Sequence, residues 1–572
     1  MSDYTFTATV ATDMPLGIAR SSADASDLWR CSKVNLAHTL EVVKAYGLLQ
    51  SSGFIDLKNP GETLRTLKDS KTYIPQATLL MHSARIAPDA PGLADERGEL
   101  TYRELDEQST KIAHGLHAAG ITEGTVIGIL ARDHRGLILS MAAAGKLGVK
   151  IALMNTGFAK PQFAEVCERE KVKAVLHDSE FLGLLDALPA DMPRFLTWVD
   201  EGTEIPQGSR TLDQLIAENG TEPLPVPAKP GGFIILTSGT TGLPKGAPRE
   251  KASPVATAQF LDRMPFPKRG TVVIVSPIFH STGLGTYLVS IGLTNKIVTR
   301  RRFDAEATLK MISDHKAQLL VAVPTMLHRM VELPAEVRAK YDTSSLKGII
   351  LAGSALSPEL CVKATETFGH VLYNLYGSTE VAIATVAQPA DLAKAPGTVG
   401  RPPLTCDVRL YDDNDKPVTA KNVTARIFVR SGAPFEGYTD GRHKQIIDGY
   451  MSSGDVGHFT EDGLLMVDGR DDDMIVSGGE NVFPQEVENL LLEREDIFDA
   501  AVVGVDDVEF GKRLRAFVVP EPGHTPDEAE IKTYVKENLA RYKVPREVVF
   551  LDDLPRNPTG KLLRRVLVEY EV

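Results

Sequence analysis

One stretch of the sequence decides the fold: Thr237-Ser238-Gly239-Thr240-Thr241-Gly242-Leu243-Pro244-Lys245-Gly246. An apolar run, FIIL at residues 233–236, leads into it and predicts a buried strand. Glycines let a backbone approach an anion closely. Successive N–H groups and hydroxyls form an anion-binding concavity, to which Lys245 adds a point charge. The stretch therefore predicts a phosphate-binding loop after a strand, although it departs from the G-x-x-x-x-G-K-S/T pattern.

The size and composition of the chain indicate a multidomain globular protein. Its 572 residues exceed the roughly 250–300 that a single core supports, so we expect at least two domains. Hydrophobic residues make up 43% and charged residues 24% of the chain, which is typical of ordinary globular proteins. The net charge of −13 argues against a general nucleic-acid-binding protein, because phosphate backbones require a basic surface.

Cysteine usage and the N-terminal sequence predict a cytoplasmic protein. Neither disulfide-framework nor zinc-site spacing is found among the four cysteines, Cys31, Cys167, Cys361 and Cys406. The first residues lack the basic and apolar regions of a secretory signal. No uninterrupted apolar stretch reaches the ~18 residues of a spanning helix. Peripheral membrane contact and a homodimer are left open.

The apolar pattern divides the chain into three regions. Residues 1–73 are predicted to be a mostly helical N-terminal extension, with a helix at 27–50 that packs on the domain behind it or, less favoured, docks to a membrane or partner. Residues 74–470 alternate helices with short apolar strands, and β-rich texture begins near Cys406. After a charged break, residues 471–572 form a compact α+β unit. The predicted fold class is α/β, with α/β subdomains, a β-rich subdomain and a small C-terminal domain.

The loop at 237–246 resembles the phosphate-binding signature of the adenylate-forming superfamily, which includes acyl-CoA synthetases, peptide-synthetase adenylation domains and firefly-type luciferases. The resemblance extends from about residue 75 to the end, because further motifs follow in the family's order. It implies a large AMP-binding domain and a small mobile domain with its hinge near Asp472. The chain most resembles the acyl-CoA synthetase branch, which implies ATP, Mg²⁺ and coenzyme A as ligands.

The resemblance also assigns the ATP contacts. In the motif at 373–380, YNLYGSTE, Tyr376 flanks the adenine, Thr379 touches the α-phosphate and Glu380 holds Mg²⁺. Asp455 and Arg470 bind the ribose hydroxyls. A small-residue turn at 353–355 packs on the adenine, although a tight turn before a helix near Ser357 explains it equally well. The remaining candidate ATP contacts are Thr237, Ser238, Gly239, Thr240 (counted as catalytic), Thr241, Gly242, Lys245, Gly353, Ser354, Ala355, Asn374, Gly377 and Ser378.

Two further motifs carry the two steps that the family performs. Lys561, in PRNPTGK at 555–561, is the adenylation lysine by resemblance. A carboxylate that attacks the α-phosphorus of ATP is one anion approaching another, and a positioned cation stabilises the charge that moves. Gly478 and Gly479 line the pantetheine tunnel in the family's second pose, although a turn before the helix near Pro484 is the plain alternative.

The acid is indicated by residues 277–285, PIFHSTGLG, which resemble the family's substrate motif. His280 stands where peptide-synthetase domains carry the Asp that pairs with an α-ammonium, which argues against an amino-acid substrate. We count His280 with the catalytic candidates as a gate or packing group, without an acid–base role. Small residues at Gly283 and Gly285 and apolar residues at 381–383 predict a tunnel for a medium- or long-chain fatty acid, with an aromatic acid as the alternative. Loading of a carrier protein is the alternative to coenzyme A.

Overall fold

The structure is a computed structural model that describes residues 41–56, 58–237, 245–249, 254–432, 435, 437–471, 473–477, 480–507, 511–557 and 560–571. Those residues form four sheets and their covering helices. Residues 41–51 are helical. The α-helices after them are Pro60–Thr72, Pro75–Ile86, Tyr102–Ala118, Arg135–Lys146, Lys160–Arg169, Leu182–Leu185, Leu212–Glu218, Pro254–Arg263, Ser281–Gly292, Ala305–His315, Pro324–Val331, Ala335–Arg338, Pro358–Phe368, Pro389–Lys394, Pro484–Leu492, Glu528–Asn538 and Arg564–Val568. Short 3₁₀-helices lie at Ser179–Phe181 and Arg541–Lys543.

The strands are numbered in chain order. They are β1 (Pro91–Asp95), β2 (Gly98–Thr101), β3 (Val126–Leu130), β4 (Lys150–Leu153), β5 (Ala174–Asp178), β6 (Arg194–Trp198), β7 (Arg210–Thr211), β8 (Gly232–Thr237), β9 (Lys245–Arg249), β10 (Thr271–Ile274), β11 (Lys296–Val298), β12 (Leu319–Ala322), β13 (Gly348–Leu351), β14 (Leu372–Ser378), β15 (Ala382–Ala387), β16 (Asp407–Tyr411), β17 (Pro417–Val418), β18 (Ala425–Arg430), β19 (Ile446–Ile447), β20 (Tyr450–Phe459), β21 (Leu465–Arg470), β22 (Ile475–Ser477), β23 (Glu480–Val482), β24 (Ile497–Asp507), β25 (Gly511–Pro520) and β26 (Glu547–Phe550).

Two largely parallel sheets make up most of the large domain. One has the strand order β7-β6-β5-β3-β4-β8-β9, and the other has the order β15-β14-β13-β12-β10-β11-β1-β2. Antiparallel partners occur at the edges, where β9, β15 and β2 close hairpins. Residues 136–146 of helix Arg135–Lys146 are all buried, in a core shared by both sheets. This burial explains why the sequence around that helix is so apolar.

The other two sheets are smaller. The third is antiparallel, with the order β17-β16-β18-β20-β19 and with β21 paired to β20. The fourth has the order β23-β22-β25-β24, with β26 parallel to β25. Helices Pro484–Leu492 and Glu528–Asn538 share the core of this last sheet. The predicted fold class, α/β with a β-rich part and a small α+β unit, is confirmed.

Individual elements follow the sequence closely, with one informative difference. The apolar pattern predicts a strand at Gly348–Leu351 and a helix at Ala305–His315, and strand β13 and that helix have these bounds. The same pattern predicts a strand at Val371–Asn374, but β14 continues to Ser378 because it pairs with antiparallel β15. Of the helix predicted at 27–50, residues 41–50 are helical and the others lie outside the described residues. Within the described part of the chain, no helix has the length and apolar character needed to cross a membrane.

Candidate active site

A cleft of about 3050 Å³ runs between the large sheets and the small C-terminal unit. Residues of the large domain and of the small C-terminal unit both line it. The predicted site residues that line it are Lys245, His280, Gly353, Ser354, Ala355, Asn374, Tyr376, Gly377, Ser378, Thr379, Glu380, Asp455, Arg470 and Lys561. The predicted residues that lie outside the described part of the chain are Ser238, Gly239, Thr240, Thr241, Gly242, Asp472, Gly478 and Gly479.

The ends of the glycine-rich loop are fixed by a hairpin. Thr237, at the end of β8, is the cross-strand partner of Lys245, at the start of β9. The two residues that flank positions 238–244 are therefore paired with each other. The ammonium of Lys245 lies over the ring of Tyr438, 5.0 Å from its centroid. This contact places a positive charge at the base of the loop, on the cleft side.

Glu380 is a buried carboxylate held by two hydroxyl donors. The Tyr438 hydroxyl donates to Oε1 at 2.5 Å, and the Ser378 hydroxyl donates to Oε2 at 2.8 Å. Burial alone would raise the pKa of Glu380, but these hydrogen bonds and the nearby Lys444 lower it below its usual value. Glu380 therefore stays ionised at neutral pH. A carboxylate has about four lone-pair sites, so it retains acceptor capacity for a cation.

Tyr438 is a site residue that the sequence reasoning missed. The next residue, Thr439, donates its backbone N–H to the carbonyl of Gly246 at 2.9 Å, which docks the loop carrying Tyr438 onto β9. Tyr438 thus connects the strand after the glycine-rich loop to Glu380. In the sequence it is one tyrosine after a glycine in an irregular segment, and its partner lies 58 residues away. A local pattern has no signal for such a pairing.

We expect Tyr438→Phe to weaken the binding of Mg²⁺ by Glu380, because the variant loses the hydroxyl that donates to this carboxylate. Partners that orient a metal-binding carboxylate typically change metal affinity by about 10–100-fold when removed. The Mg²⁺ concentration for half-maximal activity should therefore rise about tenfold, while the maximal rate at saturating Mg²⁺ changes much less. A Mg²⁺ titration of pyrophosphate release measures this. Tyr411→Phe is the matched control, because its hydroxyl donates to Asp448 away from the cleft, and an unchanged titration for Tyr438→Phe would refute the role.

Asp455 and Arg470 face each other across a strand pair. They are cross-strand partners on β20 and β21, and Nη1 of Arg470 donates to Oδ1 of Asp455 at 3.3 Å. The Tyr376 hydroxyl donates to Oδ2 at 2.5 Å. Burial raises the pKa of Asp455, and the charges of Arg470, Lys444 and Lys561 act against that rise. The structure thus brings the predicted adenine-flanking and ribose-binding residues into one hydrogen-bonded group.

Lys561 reaches the cleft from a short hairpin of the small unit. Arg556 donates to the carbonyl of Gly560 at 2.9 Å and pairs with Asp499 at 2.8 Å. The backbone N–H of Lys561 donates to the Asn557 side chain at 2.9 Å. Gly560 has a φ of +75°, and a Cβ there would lie 2.4 Å from Oγ1 of Thr325. Glycine is therefore required where the hairpin touches the large domain.

A ring stack and an ion pair join the two domains beside this hairpin. His328 and Phe498 stack with their ring centroids 4.7 Å apart. Arg329 and Asp553 lie 3.9 Å apart. Burial lowers the pKa of His328, so this ring is neutral at neutral pH. The pose brings Lys561 and Asp455 into the same cleft.

The pocket beyond the ATP-site residues has aromatic walls and two buried polar atoms. The rings of Phe279 and His280 lie 4.7 Å apart. Burial lowers the pKa of His280 to about 4, so the ring carries no charge at neutral pH. Nε2 of His280 and Oγ of Ser354 are buried and have no hydrogen-bond partner among the described residues. Both residues line the cleft, so a molecule bound there is close to these two atoms.

Gly283, Gly285 and Asn374 each make a packing or backbone contact within the protein. A Cβ at Gly283 would lie 2.2 Å from the carbonyl oxygen of Pro277, and one at Gly285 would lie 2.7 Å from Cζ of Phe260. The space beside these glycines is thus already filled, so they allow close packing and do not widen a tunnel. Asn374 donates its side-chain amide to the carbonyl of Thr398 at 2.9 Å.

Comparisons with known proteins agree with this geometry. The AMP-binding enzyme family model matches residues 80–439, and the model of the AMP-binding enzyme C-terminal domain matches residues 486–561. Indoleacetate–CoA ligase of Aromatoleum aromaticum is 32% identical over 84% of this chain and 94% of its own length. Fatty acid–[acyl-carrier-protein] ligase ScoC of Streptomyces coeruleorubidus is 28% identical over 85% of this chain and 94% of its own length.

A solved structure gives the same result. The o-succinylbenzoate CoA synthetase of Bacillus subtilis, in complex with its acyl-adenylate intermediate, superposes with a TM-score of 0.74 and 26% identity, over 86% of this chain and 98% of that one. The resemblance to the adenylate-forming superfamily is therefore confirmed, and so are ATP and coenzyme A as substrates. The chain belongs to the AMP-binding enzyme family and is an ATP-dependent acid–thiol ligase.

Proposed function

We propose that this ligase joins an aromatic carboxylic acid to coenzyme A, with an acyl-adenylate as the intermediate. The observation that carries the proposal is the convergence of Lys245, Glu380, Asp455 and Lys561 on one cleft that continues into a pocket with aromatic walls. Two cations, a carboxylate for a metal and a carboxylate for ribose are the groups that a bound ATP requires. The aromatic pocket then places an acid next to the nucleotide.

In the first step, a carboxylate oxygen of the acid attacks the α-phosphorus of ATP and pyrophosphate leaves. Both reactants are anions, so a cation between them stabilises the charge that moves in the transition state. Lys561 is the cation that we assign to this role, because its charge acts on Asp455 across the cleft. Lysine suits it as a compact point charge. Lys245 binds the phosphates at the base of the glycine-rich loop.

The nucleoside is held by the group around Asp455. Tyr376 and Arg470 each donate one hydrogen bond to this carboxylate. A carboxylate has about four lone-pair sites, so it can accept from two ribose hydroxyls as well. The ring of Tyr376, fixed by its own hydroxyl, then flanks the adenine. Burial of this group excludes water and strengthens each of these contacts.

Glu380 fits the metal that the family uses. Mg²⁺ prefers carboxylate and phosphate oxygens and is often bound by one or two carboxylates together with a substrate phosphate. When bound, Mg²⁺ supplies charge neutralisation for the phosphates and the departing pyrophosphate. Ser378 and Tyr438 orient the carboxylate from opposite sides. Their donors also keep it ionised.

In the second step, the thiol of coenzyme A attacks the acyl carbonyl and AMP leaves. The resemblance assigns the pantetheine arm to the loop that contains Gly478 and Gly479. Lys561 is not needed in this step, so we propose that the small domain withdraws it and turns this loop toward the cleft. A change of walls around one bound intermediate is the usual purpose of such domain motions.

Two observations favour an aromatic acid over the medium- or long-chain fatty acid that the apolar residues suggested. Relatives named for indoleacetate and o-succinylbenzoate align over most of the chain. Phe260, Phe279 and His280 line the pocket, and aromatic rings pack well on one another in offset or edge-to-face arrangements. The neutral ring of His280 offers no charge to an α-ammonium, which also disfavours an amino acid.

A panel of acids tests the proposal. The kcat/KM of pyrophosphate release should be highest with benzoate, phenylacetate or indole-3-acetate. It should be lower with decanoate, palmitate and phenylalanine. AMP release should then require coenzyme A. A panel in which fatty acids exceed every aromatic acid would overturn the substrate assignment. Acceptance of a pantetheine-bearing carrier protein in preference to coenzyme A would overturn the acceptor assignment.

A further inference from the structure

The segment 41–73 lies outside the part of the chain that the family models match, which begins at residue 80. It is nevertheless packed into the body of the protein. Ala45 and Leu49, on the helical stretch 41–51, are each only 1% exposed. They share a small core with the fully buried Ala258 of helix Pro254–Arg263. The segment is therefore part of the folded domain.

Phe54 brings this segment against the helix that begins at the acid pocket. Helix Ser281–Gly292 starts directly after His280. At its far end, a Cβ added to Gly292 would lie 2.3 Å from Cε2 of Phe54. Phe260 covers Gly285 of the same helix in the same manner. Two aromatic rings thus flank this helix, and one of them belongs to the N-terminal segment.

The second half of the segment is fixed by charged contacts. Arg85 donates to Glu62 at 2.8 Å and pairs with Asp69 at 3.0 Å, so it holds helix Pro60–Thr72 in two places. His82 lies 3.0 Å from Glu62. Burial would raise the pKa of Glu62, but the hydrogen bonds from Arg85 and His82 lower it. The helix is held by an ionised, partly buried cluster.

This fixed segment lines the same cleft as the candidate active site. Apolar side chains of the segment that face the cleft are Tyr46, Leu49, Phe54, Ile55, Leu67 and Tyr73. Leu284 and Leu288 also line the cleft, and they follow His280 at four-residue intervals along one face of helix Ser281–Gly292, toward Gly292 and the ring of Phe54. An apolar path therefore leads from His280 to the N-terminal segment. A ligand pocket usually occupies about 300–1,000 Å³, and the cleft of about 3050 Å³ has room for this path beside the nucleotide.

We propose that residues 41–73 form the distal wall of the acid pocket and set the greatest length of acid that the enzyme accepts. The proposal rests on the proposed function, since it concerns the same pocket. Phe54 is the main stop, because its ring lies between the segment and helix Ser281–Gly292. Leu67, on helix Pro60–Thr72, also lines the cleft.

A homologous series tests this proposal: benzoate, phenylacetate, 3-phenylpropionate, 4-phenylbutyrate, 5-phenylvalerate and 6-phenylhexanoate, each assayed by pyrophosphate release with the full-length protein. One methylene in an apolar pocket changes kcat/KM by about 10–200-fold. Phe54→Ala should raise kcat/KM for the longest acids relative to the best wild-type acid by about tenfold. Leu67→Trp should change the same ratio in the opposite direction. Leu67 is 55% exposed, so this second variant does not depend on the fold tolerating a cavity.

Leu64→Ala is the matched control. Leu64 is on the same helix, is 66% exposed and does not line the cleft, so its length profile should equal that of the wild type. If the wild type is active and neither Phe54→Ala nor Leu67→Trp changes the profile, the distal-wall proposal is wrong while the proposed function stands. If the wild type activates no acid of any class, the proposed function fails and this inference fails with it.

Discussion

Lys561→Ala is expected to slow acyl-adenylate formation by about 100-fold or more, which is the scale of losing one preorganised electrostatic contact in a transition state. The structure places this lysine on a hairpin that is fixed by Arg556 and by the contact of Gly560 with Thr325. Removal of the ammonium should therefore leave the hairpin in place. Pyrophosphate release at saturating acid and ATP measures the loss. Thioester formation from a supplied acyl-adenylate should be nearly unchanged.

Lys536→Ala is a matched control, because this lysine is exposed on helix Glu528–Asn538 of the same small domain. It should behave as the wild type in both assays. Equal losses in adenylation and thioester formation for Lys561→Ala would contradict the division of labour between the two steps. Such a result would indicate that the variant disturbs the small domain as a whole.

Glu380→Gln is expected to reduce adenylation by about 100-fold or more, since a bound metal stabilises transition-state charge by several kcal/mol. The amide has nearly the same shape as the carboxylate but no charge for Mg²⁺. The oxygen of the amide can still accept one of the two hydrogen bonds that Tyr438 and Ser378 donate to the carboxylate. Folding should therefore be preserved. Adenylation measured across a range of Mg²⁺ concentrations, with a thermal melt in parallel, separates the two effects.

Glu461→Gln serves as the control for this substitution. Glu461 is exposed, and its side chain accepts a hydrogen bond from Asn422. This control should leave both activity and the melt unchanged. A Glu380→Gln enzyme that keeps wild-type activity at low Mg²⁺ would contradict the assignment of Glu380 as the metal-binding residue.

Local sequence predicted much of the fold, because its strands and helices are strongly patterned. β13 and helix Ala305–His315 have apolar residues at clear intervals and were bounded correctly. The strand of the 373–380 motif was predicted too short. Its last two residues, Gly377 and Ser378, are small and give no strand pattern, and the strand extends over them because β15 pairs with them. Such pairing is tertiary information that a single strand does not contain.

In the candidate active site, too, contacts between distant parts of the chain could not be predicted from local sequence. Glu380, Asp455 and Lys561 lie in short motifs that resemble those of the family and follow one another in the family's order. The partner of Glu380, Tyr438, is set by the docking of a loop on β9, and that docking uses backbone groups. Gly283 and Gly285 were interpreted as space for an acid, but the backbone at Pro277 and the ring of Phe260 fill that space. A glycine indicates a close approach without identifying what approaches.

The N-terminal segment could be predicted as helical but not placed. Its apolar residues at helical spacing show that one face is buried. They do not show which part of the protein covers that face. Contacts of Leu49 with the core around Ala258 and of Phe54 with Gly292 answer that question, and they turn an apparent appendage into a wall of the cleft.

We propose that this chain makes an acyl-adenylate in one cleft and then transfers the acyl group to a thiol. The most direct measurement follows ATP labelled at the α- and γ-phosphates, mixed with the protein, Mg²⁺ and the best aromatic acid without coenzyme A. We expect the γ label to leave as pyrophosphate while the α label stays on the protein as acyl-adenylate. Coenzyme A should then release the α label as AMP together with the acyl thioester. Release of the γ label as orthophosphate with ADP would show that no acyl-adenylate forms.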